Sequence, residues 1–248
     1  MIEWLTDPSI WASLLTLTAM EIVLGIDNVV FISVIVSRLP ATIRERARRV
    51  GLALALIFRI LMLLGITWLI GMTAPLFSIF GQEVSWRDLI LIAGGLFLIT
   101  KATREIHVGI EGEEDGQGTA LKADAFLSVI AQIAVIDLVF SVDSIVTAIG
   151  MADHVEVMIA AVVISMFVMY AASGPVAEFI ERHPTTKMLA LSFLLLIGAA
   201  LIADGVEFHI PRGYIYFAMA FSAGVEVINV LARRRRGLAR KKDAGAGG

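Results

Sequence analysis

Met20-Glu21-Ile22-Val23-Leu24-Gly25-Ile26-Asp27-Asn28-Val29 and Ile136-Asp137-Leu138-Val139-Phe140-Ser141-Val142-Asp143-Ser144-Ile145 share one pattern. Residues 137, 143 and 144 stand 116 positions after residues 21, 27 and 28. Each stretch runs acid, three apolar residues, a small residue, an apolar residue, Asp and a short polar residue. Each sits midway along an apolar run of the length, about 20 residues, that crosses a hydrocarbon core as a helix. Acids at that depth are costly and mark an ion or substrate path. The remaining spans serve to set these two stretches against each other.

A chain of 248 residues could form one soluble domain. Its composition argues against that: 58% hydrophobic, 17% charged and a mean hydropathy of +0.86. Soluble domains are less apolar and nearer a quarter charged. The apolar residues come in long unbroken blocks, not in the short alternating segments of an outer-membrane barrel. The fold class is therefore all-α, a polytopic helical membrane protein. There are no cysteines, which excludes disulfides, thiolate metal sites and thiol catalysis. Glu3 and Asp7 precede a first apolar run that is too long for the core of a cleavable signal peptide, so none is expected.

Seven spans are predicted, at about residues 9–36, 50–71, 89–102, 125–151, 155–172, 188–203 and 214–231. They make a single membrane domain. A first repeat covers about 9–102, and a polar, acidic linker loop covers 103–123. A second repeat covers about 124–204, the seventh helix 214–231 and a basic tail 232–248. With the N-terminus outside, the inner segments hold 17 of the 20 Lys and Arg residues, while the outer ones hold only Arg87 and Arg212. That asymmetry predicts the N-terminus outside and the C-terminus in the cytoplasm. Three spans separate the two motifs, so the motif helices run in opposite directions. Glu105-Ile106-His107-Val108 and Glu207-Phe208-His209-Ile210 echo each other at the ends of the halves. The layout is two inverted three-helix repeats plus a C-terminal helix, a recurrent design of secondary transporters.

On a regular helix, Glu21 and Asn28 share a face, as do Asp137 and Ser144, while Asp27 and Asp143 point roughly 120° away from their partner acids. A break at Gly25 and at Ser141 would bring each acid pair into a common cavity. The converged set would be four carboxylates, the Asn28 amide oxygen and the Ser144 hydroxyl. These are hard oxygen donors, suited to manganese, magnesium or calcium. The four His residues (107, 154, 183 and 209) fall at span ends or in loops, which argues against a soft copper or tetrahedral zinc site. Four acids outweigh one divalent ion, which points to protonation in some states and hence to proton exchange. Asn28 and Ser144 alone would read as interhelical hydrogen-bonding groups. Four repeated acids would not, because apolar residues would pack there at less cost.

Ser222, Glu226 and Asn229 form one stripe of the seventh helix, expected to face the bundle. Glu226 reads equally as a proton carrier or outer ligand, with Ser222, Asn229 and Arg59 on the same path, or as the partner of a basic residue. Arg59, deep in the second span, is expected to neutralise a carboxylate. The two Glu/His pairs read as solvated span ends. Arg233-Arg234-Arg235-Arg236 reads as a topology and anionic-lipid anchor, with no nucleic acid as partner.

At the two acidic motifs, and at Phe208-His209-Ile210-Pro211 with Tyr214-Ile215-Tyr216-Phe217-Ala218-Met219-Ala220-Phe221-Ser222, the chain resembles the TerC family of integral membrane proteins. The resemblance runs from about residue 9 to 231, and it rests on both motifs occurring in order. The family is associated with tellurium resistance by name, and members are described as manganese(II) exporters. The resemblance implies an ion site lined by Glu21, Asp27, Asn28, Asp137, Asp143 and Ser144, in a bacterial inner membrane. The expected function is export of a divalent cation, foremost manganese(II), by proton exchange, with no prosthetic group. The alternative is a metal-binding scaffold in a stress complex, without transport of its own. A homo-oligomer or stress-complex partners would be compatible with either. An intramembrane Asp hydrolase finds no support, because the spans contain neither a Gly-x-Gly-Asp signature nor a Ser/His pair. A tellurium oxyanion would meet four acids, so a tellurium phenotype would be indirect.

Overall fold

The computed structural model describes residues 7–37, 39–79, 82–111, 122–149 and 154–245. Within its elements, the side chains of residues 26, 27, 79, 82, 122–124, 143, 146–149 and 233–245 lie outside the description. In chain order the elements are α1 (Pro8–Val36), α2 (Ala41–Leu64), α3 (Ile66–Gly71), β1 (Pro75–Ile79), β2 (Gln82–Ser85), α4 (Trp86–Glu111), α5 (Lys122–Ile149), α6 (Val155–Arg182), α7 (Pro184–Gly205) and α8 (Arg212–Gly245). Among the described residues, five stretches are long and apolar enough to cross a membrane: Pro8–Val36, Ala125–Val142, Val155–Arg182, Pro184–Gly205 and Arg212–Ala232.

Local chemistry sets the helix ends. Asp7 caps α1 by accepting from the Ser9 amide at 2.9 Å, and Pro8 takes the first turn, where a missing N–H costs nothing. Hydrogen bonding from Ser9 holds the Asp7 carboxyl below the ordinary carboxylate range. α4 opens on a capping box: the Ser85 amide donates to Asp88 Oδ2 at 2.9 Å, and the Asp88 amide donates back to Ser85 Oγ at 3.3 Å.

The two halves interlock. The most extensive pairings are α4 on α7, α1 on α6 and α2 on α5. α4 and α7 run antiparallel, because Gly95 meets Gly198 while Gly205 meets Asp88 and Gly109 meets Met188. Their crossing is reciprocal. A Cβ on Gly95 would lie 2.5 Å from the Gly198 carbonyl oxygen and 2.7 Å from Ile202 Cγ1. A Cβ on Gly198 would lie 2.9 Å from the Gly95 carbonyl oxygen and 2.8 Å from Ile99 Cγ1. Small residues let membrane helices approach this closely.

The second half of α1 is buried on every side, through Val29, Phe31, Ile32, Val34, Ile35 and Val36. α8 is peripheral. It packs chiefly on α7 and exposes Tyr214, Phe217, Phe221 and Ile228, an apolar surface suited to lipid.

Several expectations need correction. Neither motif helix breaks: α1 runs unbroken through Gly25 and α5 through Ser141. Gly25 serves close approach instead, because a Cβ there would collide with Met169 Sδ of α6. The second span is interrupted at Gly65, which separates α2 from α3. The connection after it is a short antiparallel hairpin, Phe77 opposite Val84, in an otherwise helical chain. The linker is shorter than expected: α4 continues to Glu111 and α5 begins at Lys122, with residues 112–121 outside the description. α6 continues through Pro175 to Arg182, and α8 continues into the basic tail.

Candidate functional site

The first acids of the two motifs converge on one arginine. Arg59 of α2 is 1% exposed and lies between Glu21 of α1 and Asp137 of α5, each 4% exposed. Arg59 Nη1 donates to Glu21 Oε2, and Arg59 Nε donates to Asp137 Oδ1 at 3.3 Å. Asp137 also accepts from Asn28 Nδ2 at 3.4 Å and from Ser141 Oγ at 3.4 Å. Ser144 Oγ turns back to the Ser141 carbonyl at 3.4 Å. The heptad spacing places Glu21 and Asn28 on one face of α1, and the four-residue spacing places Ser141 one turn above Asp137.

This cluster sets acids against a base and is almost closed off from the surface. Burying one carboxylate against hydrocarbon is costly, and a shared guanidinium offsets two at once through its planar fork of donors. Two ionised carboxylates against one guanidinium leave a formal charge of −1. Among the described residues, Asn28 Oδ1 is buried without a hydrogen-bond partner. An oxygen acceptor left over beside the Asp137 carboxylate fits a donor set for a hard cation.

The expected residues separate into three groups. Glu21, Asn28, Asp137 and Ser144 are buried near one another around Arg59, on three facing helices. The side chains of Asp27 and Asp143 lie outside the described ones. Four converged carboxylates are therefore not observed, and among the described residues no three His, Asp or Glu side chains gather into a metal-holding group. The α8 stripe does not belong to this cluster. Glu226 accepts from Thr185 Oγ1, and from Thr186 Oγ1 at 3.4 Å, at the start of α7. There the helix dipole favours a carboxylate. Ser222 is half-buried, and Asn229 is exposed rather than facing the bundle. Of the two Glu/His pairs, Glu105 is buried, while His107 is exposed beside Glu111 at 3.3 Å.

Sequence reasoning missed Ser141 as a bonding group, and it missed Asp204 and Arg212 altogether. Their signal is present in the chain: Asp204 is an acid closing an apolar run, eight residues before the basic residue it pairs with at 3.3 Å.

Apolar helices enclosing buried acidic and basic side chains define the class, a polytopic helical membrane protein. The comparisons with known proteins give the family. The sequence profile of the Integral membrane protein TerC family matches residues 6–242, and the chain belongs to that family. Among its relatives, a "UPF0053 protein" of Haemophilus influenzae is 52% identical over 234 residues, covering 94% of this chain and 99% of that one. The "UPF0053 inner membrane protein YgdQ" of Escherichia coli is 51% identical over 238 residues, covering 96% of this chain and all of that one. The "UPF0053 inner membrane protein YoaE" of Escherichia coli is 50% identical over 232 residues, and there the match takes in 45% of the relative. No solved structure matches.

Proposed function

We propose that the chain is a secondary transporter that exports a hard divalent cation, foremost manganese(II), across a bacterial inner membrane in exchange for protons. Membership of the TerC family and the apolar helices support a membrane role, and the relatives' names support the inner membrane. The observation that carries the reading is the meeting of Glu21 and Asp137, the matched acids of the two motifs, on the buried Arg59.

The pairing of helices across the halves, with the reciprocal Gly95–Gly198 crossing, supports the inverted three-helix repeats and a peripheral seventh helix. In this reading Glu21, Asp27, Asn28, Asp137, Asp143 and Ser144 receive the cation. Oxygen donors and the absence of Cys favour manganese over copper or zinc. Arg59 acts as an internal counter-ion. An arriving divalent cation competes with the guanidinium for the same carboxylates, and protonation of an acid releases the cation again. Binding that must displace a resident charge stays reversible, as transport requires.

The test is manganese(II) flux into proteoliposomes holding the purified protein, with a proton probe in the lumen. Uptake with opposite proton movement, abolished in Asp27→Asn and in Asp137→Asn, is the expected result. A second reading is favoured by the charge balance at Arg59, which already neutralises much of the site without any metal. It is a metal-binding scaffold in a membrane stress complex. Manganese bound by the parent protein, with no flux in any variant, would establish that reading instead.

A further inference from the structure

Asp204 and Arg212 stand where two cavities meet. One is a small slot of about 30 Å³, lined by Arg59 and Ser144 of the buried site and by Asp204 and Arg212, with Ala200 and Leu201 also in its wall. At about 10–15 Å³ per water it holds roughly two. The second is a wide vestibule of about 550 Å³ beside the hairpin, lined by Asp88, Asp204, His209 and Arg212 among others. Asp204 and Arg212 are the two residues common to both walls. Arg212 Nη2 donates to Asp204 Oδ2 at 3.3 Å across the junction.

The placement of this pair opposes the intrinsic preference of both helices. Asp204 lies in the last turn of α7, where the helix dipole disfavours a carboxylate. Arg212 opens α8, where the dipole disfavours a cation. The turn between them puts Glu207 in the left-handed region at φ 60°. The Asp204 side chain is only 8% exposed, and Arg212 stands against it at the mouth of the vestibule. A pair serving only to tie α7 to α8 could be apolar at less cost.

We propose that Asp204 and Arg212 form a gate between the buried Arg59 site and the vestibule at the hairpin end. With the pair formed, the slot ends at the two side chains. With it broken, Asp204 becomes a carboxylate shared by slot and vestibule, and a cation leaving the Arg59 site meets it on the way out. The cation's part rests on the transport reading above. The gate itself does not.

The absence of cysteine makes the gate testable without any transported ion. A thiol introduced by Ala200→Cys lies in the slot wall, and one introduced by Ala47→Cys is fully buried in α2 away from it. Solubilised protein is treated with methyl methanethiosulfonate, a small uncharged reagent on which the charge left at the junction has no pull, and labelling is timed by mass spectrometry. Ala200→Cys should label slowly in the parent, at least tenfold faster with Asp204→Asn, and slowly again with the exchanged pair Asp204→Arg/Arg212→Asp. Ala47→Cys should remain slow throughout. Equal rates in the parent and Asp204→Asn backgrounds overturn the gate. So does fast labelling in the exchanged pair, or a parallel rise at Ala47→Cys, which would mean general loosening. Manganese flux separates the two ideas: absent flux with gated labelling sinks the transport reading alone, and normal flux with ungated labelling sinks the gate alone.

Discussion

Arg59 is the bulkiest fully buried side chain among the described residues, and its guanidinium bonds to both Glu21 and Asp137. Removing one member of such a group is worse than removing all of it, because the survivors keep charges that nothing balances. Arg59→Met should therefore lower stability by about 3–5 kcal/mol, read as a fall in unfolding midpoint of the detergent-solubilised protein. Arg59→Lys keeps the charge but loses the fork that reaches two acids, and should fall between parent and Arg59→Met. The triple variant Arg59→Met/Glu21→Gln/Asp137→Asn should recover most of the lost stability. A triple variant no more stable than Arg59→Met would show that packing around the guanidinium, not charge balance, carries its contribution. At this scale the chain was legible. An arginine within an apolar run demands an acid, and the repeated acids were the candidates. What could not be read was that one arginine takes both, since that depends on how α1, α2 and α5 are turned toward each other.

Among the helices, the glycines show where backbones come closest. Gly95 and Gly198 face each other's carbonyl oxygens, so a Cβ on either must push α4 from α7. Gly95→Ala should cost about 1–3 kcal/mol, the usual range for overpacking a tight contact. Gly224 provides the control: it lies inside α8, and a Cβ added there would meet nothing within 4 Å. Gly224→Ala should be neutral or stabilising by up to about 1 kcal/mol, because alanine is the better helix former. Thermal unfolding of the two variants side by side checks both, and similar midpoints would remove the crossing from the account. Gly25 shows why a helix break was expected and does not occur. Glycine in an apolar run reads locally as a weak point, but here Met169 of α6 fills the space a side chain would take. The hairpin after α3 and the extension of α4 to Glu111 escaped sequence reading for a related reason. Polar residues such as Arg104 and Glu105 mark where an apolar run ends, yet a helix continues as long as its backbone bonds do.

Across the whole molecule, the number of crossings decides which cavity faces which compartment. Composition alone marks five crossing stretches and leaves out α2 and α4. Both are long enough: 24 and 26 residues rise about 36 and 39 Å, against a hydrocarbon core of about 30 Å. They fail by composition because Arg44, Arg46, Arg48 and Arg49 open α2, while Arg87, Asp88, Lys101 and Arg104 flank the apolar part of α4. Charges at helix ends lie at the membrane surface in a crossing helix, and Arg59 is fully buried against protein, so neither feature forbids a crossing. The two counts differ at one place. With seven crossings and the N-terminus outside, the hairpin and its vestibule face outward; with five, the hairpin would stay inside while the α7–α8 turn that shares its vestibule lay outside, which the packing of α4 along α7 opposes. Ser78 is exposed on the hairpin, and Ser78→Cys in this cysteine-free chain reports its side directly. A membrane-impermeant maleimide added to intact cells should label Ser78→Cys without prior lysis. Labelling only after lysis would put the hairpin in the cytoplasm. The vestibule would then open to the cell interior, and Asp204 and Arg212 would guard entry of the cation instead of its exit.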